Sequence, residues 1–185
     1  DFSKSLLIIG KQIKQIENLV NEFSDFARMP KPIFKDNNLV FLIKDNVKLI
    51  NELDNKIIIN FKTNKSDILL NSDSEQLSRV FFNLIKNSIE SIQDKKIDNV
   101  DLIGKIHISI NDNVEKINFT IIDNGLGFGI FADNIRDILN PYFTTKKKGT
   151  GLGLSIVNKI INDHNGKINF VSLENGAKIE IIFTK

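Results

Sequence analysis

Asn83 and Asn87 lie four residues apart, so on a helix they share one face, one turn from each other. Asparagine is a mediocre helix former, and two stacked amides inside a helix point to a ligand-facing task. A neutral amide oxygen is a hard donor suited to Mg²⁺ whose charge phosphates already balance. Against this stands the general abundance of asparagine in the chain. A second segment, Asp123-Asn124-Gly125-Leu126-Gly127-Phe128-Gly129, places a carboxylate ahead of glycines on alternate residues. Such glycines let backbone approach a flat ligand closely, and Asp123 is suited to accept from an exocyclic amine such as adenine N6. A dinucleotide-binding Gly-x-Gly-x-x-Gly fails on spacing, because position 130 is Ile130. A plain glycine-rich turn is the competing explanation. In the third segment, Gly149-Thr150-Gly151-Leu152-Gly153-Leu154-Ser155 opens a helix, and N–H groups there make a phosphate site. It is not a P-loop, since no Gly-Lys-Ser/Thr ends it. Lys146-Lys147-Lys148 upstream adds cations, or is a solvated charge run.

These residues need a frame. Ser72 to Glu75 fits a capping box opening an amphipathic helix to about Gln93, with Leu77, Val80/Phe81, Leu84/Ile85, Ser88/Ile89 and Ile92 on the side opposite the asparagines. Residues 104–111 and 116–123 alternate apolar and polar about an Asp112-Asn113 turn, a hairpin that delivers Asp123 at a strand end. A helix over about 152–164 ends at Asn165-Gly166, a good C-cap; strands 167–173 and 177–184 follow. Upstream, residues 39–53 read as a helix capped by Asn37 or Asn38, and 55–63 and 67–71 as strands. A short helix is expected near 132–139. The sum is an α/β (α+β) sandwich, a mixed, mostly antiparallel sheet with helices on one face.

One long helix precedes it. Leu6, Ile9, Ile13, Ile16, Val20, Phe23 and Ala27 form an unbroken 3,4-spaced seam, the pattern of a coiled coil or helix bundle, and Pro30 and Pro32 stop it. The expected division is therefore 1–32 and 33–185. With 41% apolar and 26% charged residues the 185-residue chain is globular. No cysteine is present, which excludes disulfides and thiolate metal sites. A net charge of +2 gives no argument for nucleic acid. No apolar run approaches the ~18 residues of a membrane span. Asp1 in place of methionine and an immediate helical pattern suggest a fragment of a longer protein.

Taken in order, SRVFFNLIKNSIESI, DNGLGFG, NPYFTTK and GTGLGLSIV resemble the N, G1, F and G2 boxes of the ATP-binding domain shared by sensor histidine kinases and their gyrase, Hsp90 and MutL relatives. The likeness covers about residues 39–185. Residues 1–32, ending SDFARMPKP, look like the second helix of a dimerisation and histidine-phosphotransfer domain, and that phrasing with PYFTTK is similar to the nitrogen-regulation (NtrY-like) class.

The resemblance implies a Bergerat-type fold binding ATP and Mg²⁺, with a γ-phosphate passed to a histidine on an upstream helix and on to an aspartate of a response-regulator receiver domain. By analogy Asn87 coordinates Mg²⁺, Asn83 sits beside the phosphates, and Asp123 reads the adenine amine with Gly125 and Gly127 shaping its pocket. Residues 140–150 correspond to an ATP lid, in which Phe143 packs the lid; Thr145, Lys146, Thr150, Gly151, Leu152 and Gly153 belong to the nucleotide site, Lys146 with a catalytic part. The gyrase and Hsp90 relatives carry a water-activating glutamate where this chain has Asn83, an amide that is no general base, which favours phosphotransfer over hydrolysis. Glu90 stands where many sensor kinases have a basic residue, and Lys86 is the neighbouring cation able to substitute. Neither histidine fits the acceptor: His107 points out of its strand beside Lys105 and Ser109, and His164 ends a helix, where imidazole suits the dipole. The resemblance further implies a homodimer through the first helix, no nucleic acid, and a cytoplasmic location in a bacterial inner-membrane sensor whose membrane contact lies in upstream segments. An anti-sigma-type serine kinase and a non-catalytic nucleotide-sensing module are the alternatives; the heptad helix speaks against the first and the intact boxes against the second.

Overall fold

A computed structural model describes residues 2–53, 56–128, 138–141, 143–144 and 150–185. The elements are α1 (Phe2–Ala27), β1 (Lys35–Asn38), α2 (Leu39–Leu53), β2 (Ile58–Thr63), β3 (Leu69–Ser72), α3 (Ser74–Asp98), β4 (Lys105–Asp112), β5 (Lys116–Asp123), α4 (Gly153–Asp163), β6 (Gly166–Leu173) and β7 (Gly176–Thr184). Five strands form one sheet in the order β2-β4-β5-β7-β6. β2 and β4 run parallel, and the other neighbours are antiparallel. Period-two alternation turns Ile106, Ile108 and Ile110 of β4, Ile117, Phe119 and Ile121 of β5, and Ile179, Ile181 and Phe183 of β7 toward one face. On that face α2, α3 and α4 pack side by side, α3 over β4 and β5 and α4 over β6. The expected two-layer sandwich is what forms. The centre of the core is a tilted Phe81–Phe119 pair, ring centroids 4.9 Å apart, which joins α3 to β5.

Three local expectations change. The segment 67–71 does not enter the main sheet: β3 pairs antiparallel with β1, a strand the sequence pattern does not show. The α3 cap is Asp73, not Ser72: Asp73 Oδ1 accepts from the N–H groups of Glu75 and Gln76, both at 3.0 Å. Ser72 is consumed by β3, and its buried hydroxyl donates to the Leu70 carbonyl. The helix then runs to Asp98, a turn past the expected end. His164 ends α4 as its C-cap residue, at the helix terminus where it is expected. It is buried, with Nδ1 2.8 Å from the Ile160 carbonyl, while Nε2 accepts from the Asp73 N–H at 2.9 Å. Those two partners require the tautomer with the proton on Nδ1. Asn165 follows at φ 55°, the left-handed cap expected of Asn-Gly. The short helix expected near 132–139 falls mostly outside the described residues.

The segment leaving α1 is fastened at the same point. Asp73 Oδ2 accepts from the Ile33 N–H at 2.8 Å, Gln76 Nε2 donates to the Pro30 carbonyl at 3.0 Å, and the Phe34 ring lies 5.1 Å from that of His164. Asp73 thus holds three N–H donors as well as its own N–H bond to His164. Along α1, Leu6, Ile9, Ile13, Ile16, Val20 and Phe23 remain about half exposed, so nothing among the described residues covers the seam.

Burial opposes the charge of Asp73, but the N–H groups of Gln76, Ile33 and Glu75 outweigh it and hold the carboxyl below the usual 3.8. A lowered folded-state value means that the ionised group stabilises the fold above the unfolded value, and that this gain fades as pH falls through the folded one. Asp73→Ala is expected to cost about 1–2 kcal/mol at pH 7. In urea unfolding, the gap between the variant and the parent chain should narrow as pH drops below 3.8.

Candidate functional site

The chemistry-bearing segments meet in one cleft of about 550 Å³, walled by α3, the end of β5 with the loop after it, the start of β7 and the start of α4. That volume lies within the range of small-molecule sites. α3 supplies one wall because its apolar stripe faces the sheet, which turns the other flank, with Arg79, Asn83, Lys86, Asn87, Glu90 and Asp94, into the cleft. Asn83, Asn87, Asp123, Gly127, Phe143, Thr150, Gly151 and Gly153 all line it. Gly125 and Leu152 do not. Leu152 has a fully buried side chain in the core, and Gly125 sits behind the cleft wall. Thr145 and Lys146 lie outside the described residues, as do Lys147 and Lys148.

Asp123 ends β5, its side chain pointing inward and only 6% exposed. Oδ1 accepts from the Gly125 N–H at 2.9 Å, and Oδ2 accepts from the Ser88 hydroxyl at 3.0 Å. Burial pushes the carboxyl above its ordinary value, against hydrogen bonds from Gly125, Ser88 and Ala177 and the charge of Lys95. The group is thus an acceptor removed from water and aimed at the base of the cleft. The following loop is pinned from several sides. Asn124 donates through Nδ2 to the Ile103 carbonyl at 2.8 Å and accepts through Oδ1 from the Lys105 N–H at 2.8 Å. Lys95 Nζ donates to the carbonyls of Asn124 and Gly125, at 3.1 and 3.0 Å. Ser91 Oγ accepts from the Leu126 N–H at 3.0 Å. Phe128 packs edge-on against Phe170 of β6. A side chain at 125 would run into Ser91. At 127 the backbone is left-handed, φ +74°, and a Cβ would lie 2.6 Å from the Gly176 carbonyl oxygen. The alternate glycines therefore answer to close approach of helix and strand.

At the other end the start of α4 reaches the cleft through Gly151, Gly153 and Leu154. Here the N-cap residue is Leu152, whose side chain has no polar atom to offer the helix N–H groups, in contrast to Asp73 of α3, and the Thr150 hydroxyl accepts from the Leu152 N–H at 3.4 Å. First-turn N–H groups facing a polar cleft form an anion site. Sequence reasoning misses the site roles of Ser88, Ser91 and Lys95. Ser88 is a hydroxyl within an apolar stripe, and Ser91 and Lys95 continue the four-residue step from Asn87; either pattern is a usable signal. Lys86, the expected substitute cation, has its Nζ 3.9 Å from Glu90 Oε1.

Among the described residues no cluster of three or more His, Cys, Asp or Glu could hold a metal ion. A divalent ion here would take an amide oxygen from α3 and otherwise rely on ligand oxygens and water. That donor set fits Mg²⁺ escorted by phosphates.

Comparison with known proteins agrees with this geometry. Over 184 residues the chain is 34% identical to a protein of Rickettsia bellii named as an NtrY-like sensor histidine kinase, covering 99% of this chain but 29% of that relative. The chain thus spans under a third of that relative's length. The catalytic domain of histidine kinase ThkA superposes with a TM-score of 0.70 at 31% identity, covering 83% of this chain and 96% of that one. ThkA in complex with the response regulator TrrA gives 0.77 at 28% identity, covering all of this chain and 52% of that one. The family model for histidine kinase-, DNA gyrase B- and HSP90-like ATPases matches residues 72–185. That match runs from the end of β3 through both asparagines, Asp123 and the start of α4 to the last residue, and it makes the chain a member of this ATPase family.

Proposed function

We propose that this chain is the ATP-binding catalytic portion of a two-component sensor histidine kinase of the NtrY-like class. In this reading residues 33–185 are the catalytic domain, and residues 1–32 are the second helix of a dimerisation and histidine-phosphotransfer domain. The observation that carries it is the arrangement along a single cleft: a buried carboxylate at one end, two carboxamides along one wall, and a helix start with a leucine N-cap at the other end. Asp123 accepts from the adenine amine, since Gly125 and Ser88 already occupy part of each oxygen and fix its direction. Asn87 offers its amide oxygen to Mg²⁺, and Asn83 lies one turn on, beside the phosphates. The first-turn N–H groups of α4 take phosphate oxygens, with Lys146 as a lid cation. Bound Mg²⁺ supplies charge neutralisation at the phosphate being transferred.

Asn83 stands where hydrolytic relatives carry a glutamate base. An amide takes no proton from water at useful rates, so the terminal phosphate is kept for a protein nucleophile. Neither histidine of this chain is that nucleophile. Both ring nitrogens of His164 are engaged within the fold, and His107 lies on β4 facing away from the helices, opposite the cleft. The acceptor is a histidine on a helix outside this chain, and the phosphoryl group passes on to a receiver-domain aspartate of a response regulator. The half-exposed seam of α1 supports pairing with a second copy in the dimer. No helix among the described residues is long and apolar enough to cross a membrane. The proposed location is the cytoplasmic side of a bacterial inner-membrane sensor.

Asp123→Asn alters the pattern of a buried acceptor, and should weaken ATP binding by about 1–3 kcal/mol in calorimetry; parent-like affinity would remove Asp123 from adenine recognition. Asn87→Ala should abolish most of the gain in affinity that Mg²⁺ brings while leaving metal-free binding nearly intact, read from titrations with and without EDTA. With γ-labelled ATP this chain should stay unlabelled, and a version extended by an upstream histidine-bearing helix should acquire acid-labile label.

A further inference from the structure

The helices α2, α3 and α4 cover one face of the five-stranded sheet, and among the described residues no element packs on the other. Strand register sets Lys62 of β2, Lys105 of β4, Lys116 of β5, Lys178 of β7 and Lys167 of β6 on that open face, one lysine from every strand. Within the strands the face carries a single acid, Glu180, which pairs with Lys178 at 2.6 Å. Lys62, Lys105, Lys116 and Lys167 are exposed and make no ion pair among the described residues. The whole chain has 25 basic and 23 acidic residues, so five against one is a segregation of charge and not its average. Acids of the helix layer lie across the core, and exposed charges more than about 8 Å apart are largely screened at physiological salt. The face therefore acts with its own sign.

Composition says which partner fits. Protein interfaces draw their energy from Trp, Tyr and Arg, and lysine is depleted at their centres. This face has no aromatic ring except the imidazole of His107, and no arginine. Its lysines are spread over four strand spacings, about 19 Å, with Ile122, Ile182 and Val171 between them. Lysine is a compact charge on a flexible stem. It can follow mobile phosphate headgroups while its methylenes lie along apolar neighbours. An anionic leaflet rewards each such lysine with about a fivefold gain in partitioning. The nucleotide cleft is walled by helices on the other side of the sheet, so this contact leaves it open.

We propose that the open face of the sheet docks on an anionic lipid surface, a peripheral contact distinct from any spanning segment. It stands apart from the nucleotide reading. The test is co-sedimentation of the chain with vesicles of phosphatidylcholine alone and with about one third phosphatidylglycerol. The parent is expected to partition at least about tenfold more strongly onto the anionic vesicles, and to lose that gain between about 0.1 and 0.5 M salt. Replacing Lys62, Lys105 and Lys167 together by Gln should cost about a hundredfold, and replacing the same three by Arg should stay within about threefold of the parent. A parent without preference for anionic vesicles overturns the inference. So does a Gln triple variant that binds like the parent, which would assign binding to the seam of α1, or an Arg triple variant that falls with it. Capture by immobilised polyglutamate without vesicle binding assigns the face to an acidic protein and overturns it too. Melting temperatures check the fold; if the Gln triple variant melts early, Lys116→Glu decides, with an expected loss of about twenty-fivefold on anionic vesicles and parental binding counting against the proposal.

Discussion

A carboxylate withdrawn from water at the end of a central strand sets the terms for everything around it. Asp123 cannot sit inside the domain unpaired, because a buried charge without partners costs several kcal/mol. Its partners come from three places: the Gly125 N–H in the next turn, the Ala177 N–H on the neighbouring strand, and the Ser88 hydroxyl on the helix overhead. Each partner fixes an element. Gly125 brings the loop down onto α3, the Ala177 contact ties it to the start of β7, and Ser88 fixes the rotation of α3. That rotation in turn presents Asn83 and Asn87 to the cleft instead of to solvent. The carboxamides owe their placement to the hydrogen bond made by Ser88, the residue directly after Asn87, as much as to their own spacing.

Much of this is legible in the residues because the signals are local. The alternation in β4 and β5, the carboxylate followed by spaced glycines and the Asn165-Gly166 stop each rest on backbone preferences that act within a few positions. What stays hidden is decided by distant partners. β1 is Lys-Asp-Asn-Asn, without any alternation. It is a strand because Asn37 Nδ2 donates to the Ser72 carbonyl and Asn38 Nδ2 to Asp67 Oδ1, both at 2.7 Å, across an approach no local pattern encodes. The one-residue shift of the α3 cap has the same origin. Ser72 and Asp73 are both good caps, and pairing of β3 with β1 removes the first from contention. The parallel pairing of β2 with β4 is likewise a choice among sheet neighbours. In the cleft, the members that spacing exposes are those on one helix face or in one glycine run, while Ser88 is masked by its place in an apolar stripe.

The joint at Asp73 gives the domain its entrance. The same side chain that caps α3 receives Ile33, its own N–H reaches His164 at the close of α4, and the adjacent Gln76 holds Pro30. The segment after α1 is therefore bonded to the first turn of the helix that carries the asparagines, and its Phe34 ring packs against His164 at the end of the helix whose start faces the cleft. Pro30 and Pro32 limit how far this stretch can adjust its backbone. Movement at the foot of α1 is resisted by a set of short hydrogen bonds and not by a slack linker.

The cleft has no wall of its own. Its lining is borrowed from α3, the β5 loop, β7 and α4, which are far apart along the chain and are held together only by packing and a few polar bonds. A molecule seated there bridges all of them and acts as a rivet on the tertiary structure. By mass action each tenfold excess of such a molecule over its dissociation constant adds about 1.4 kcal/mol to the folded state. Resistance to heat and to protease then becomes a gauge of how full the cleft is.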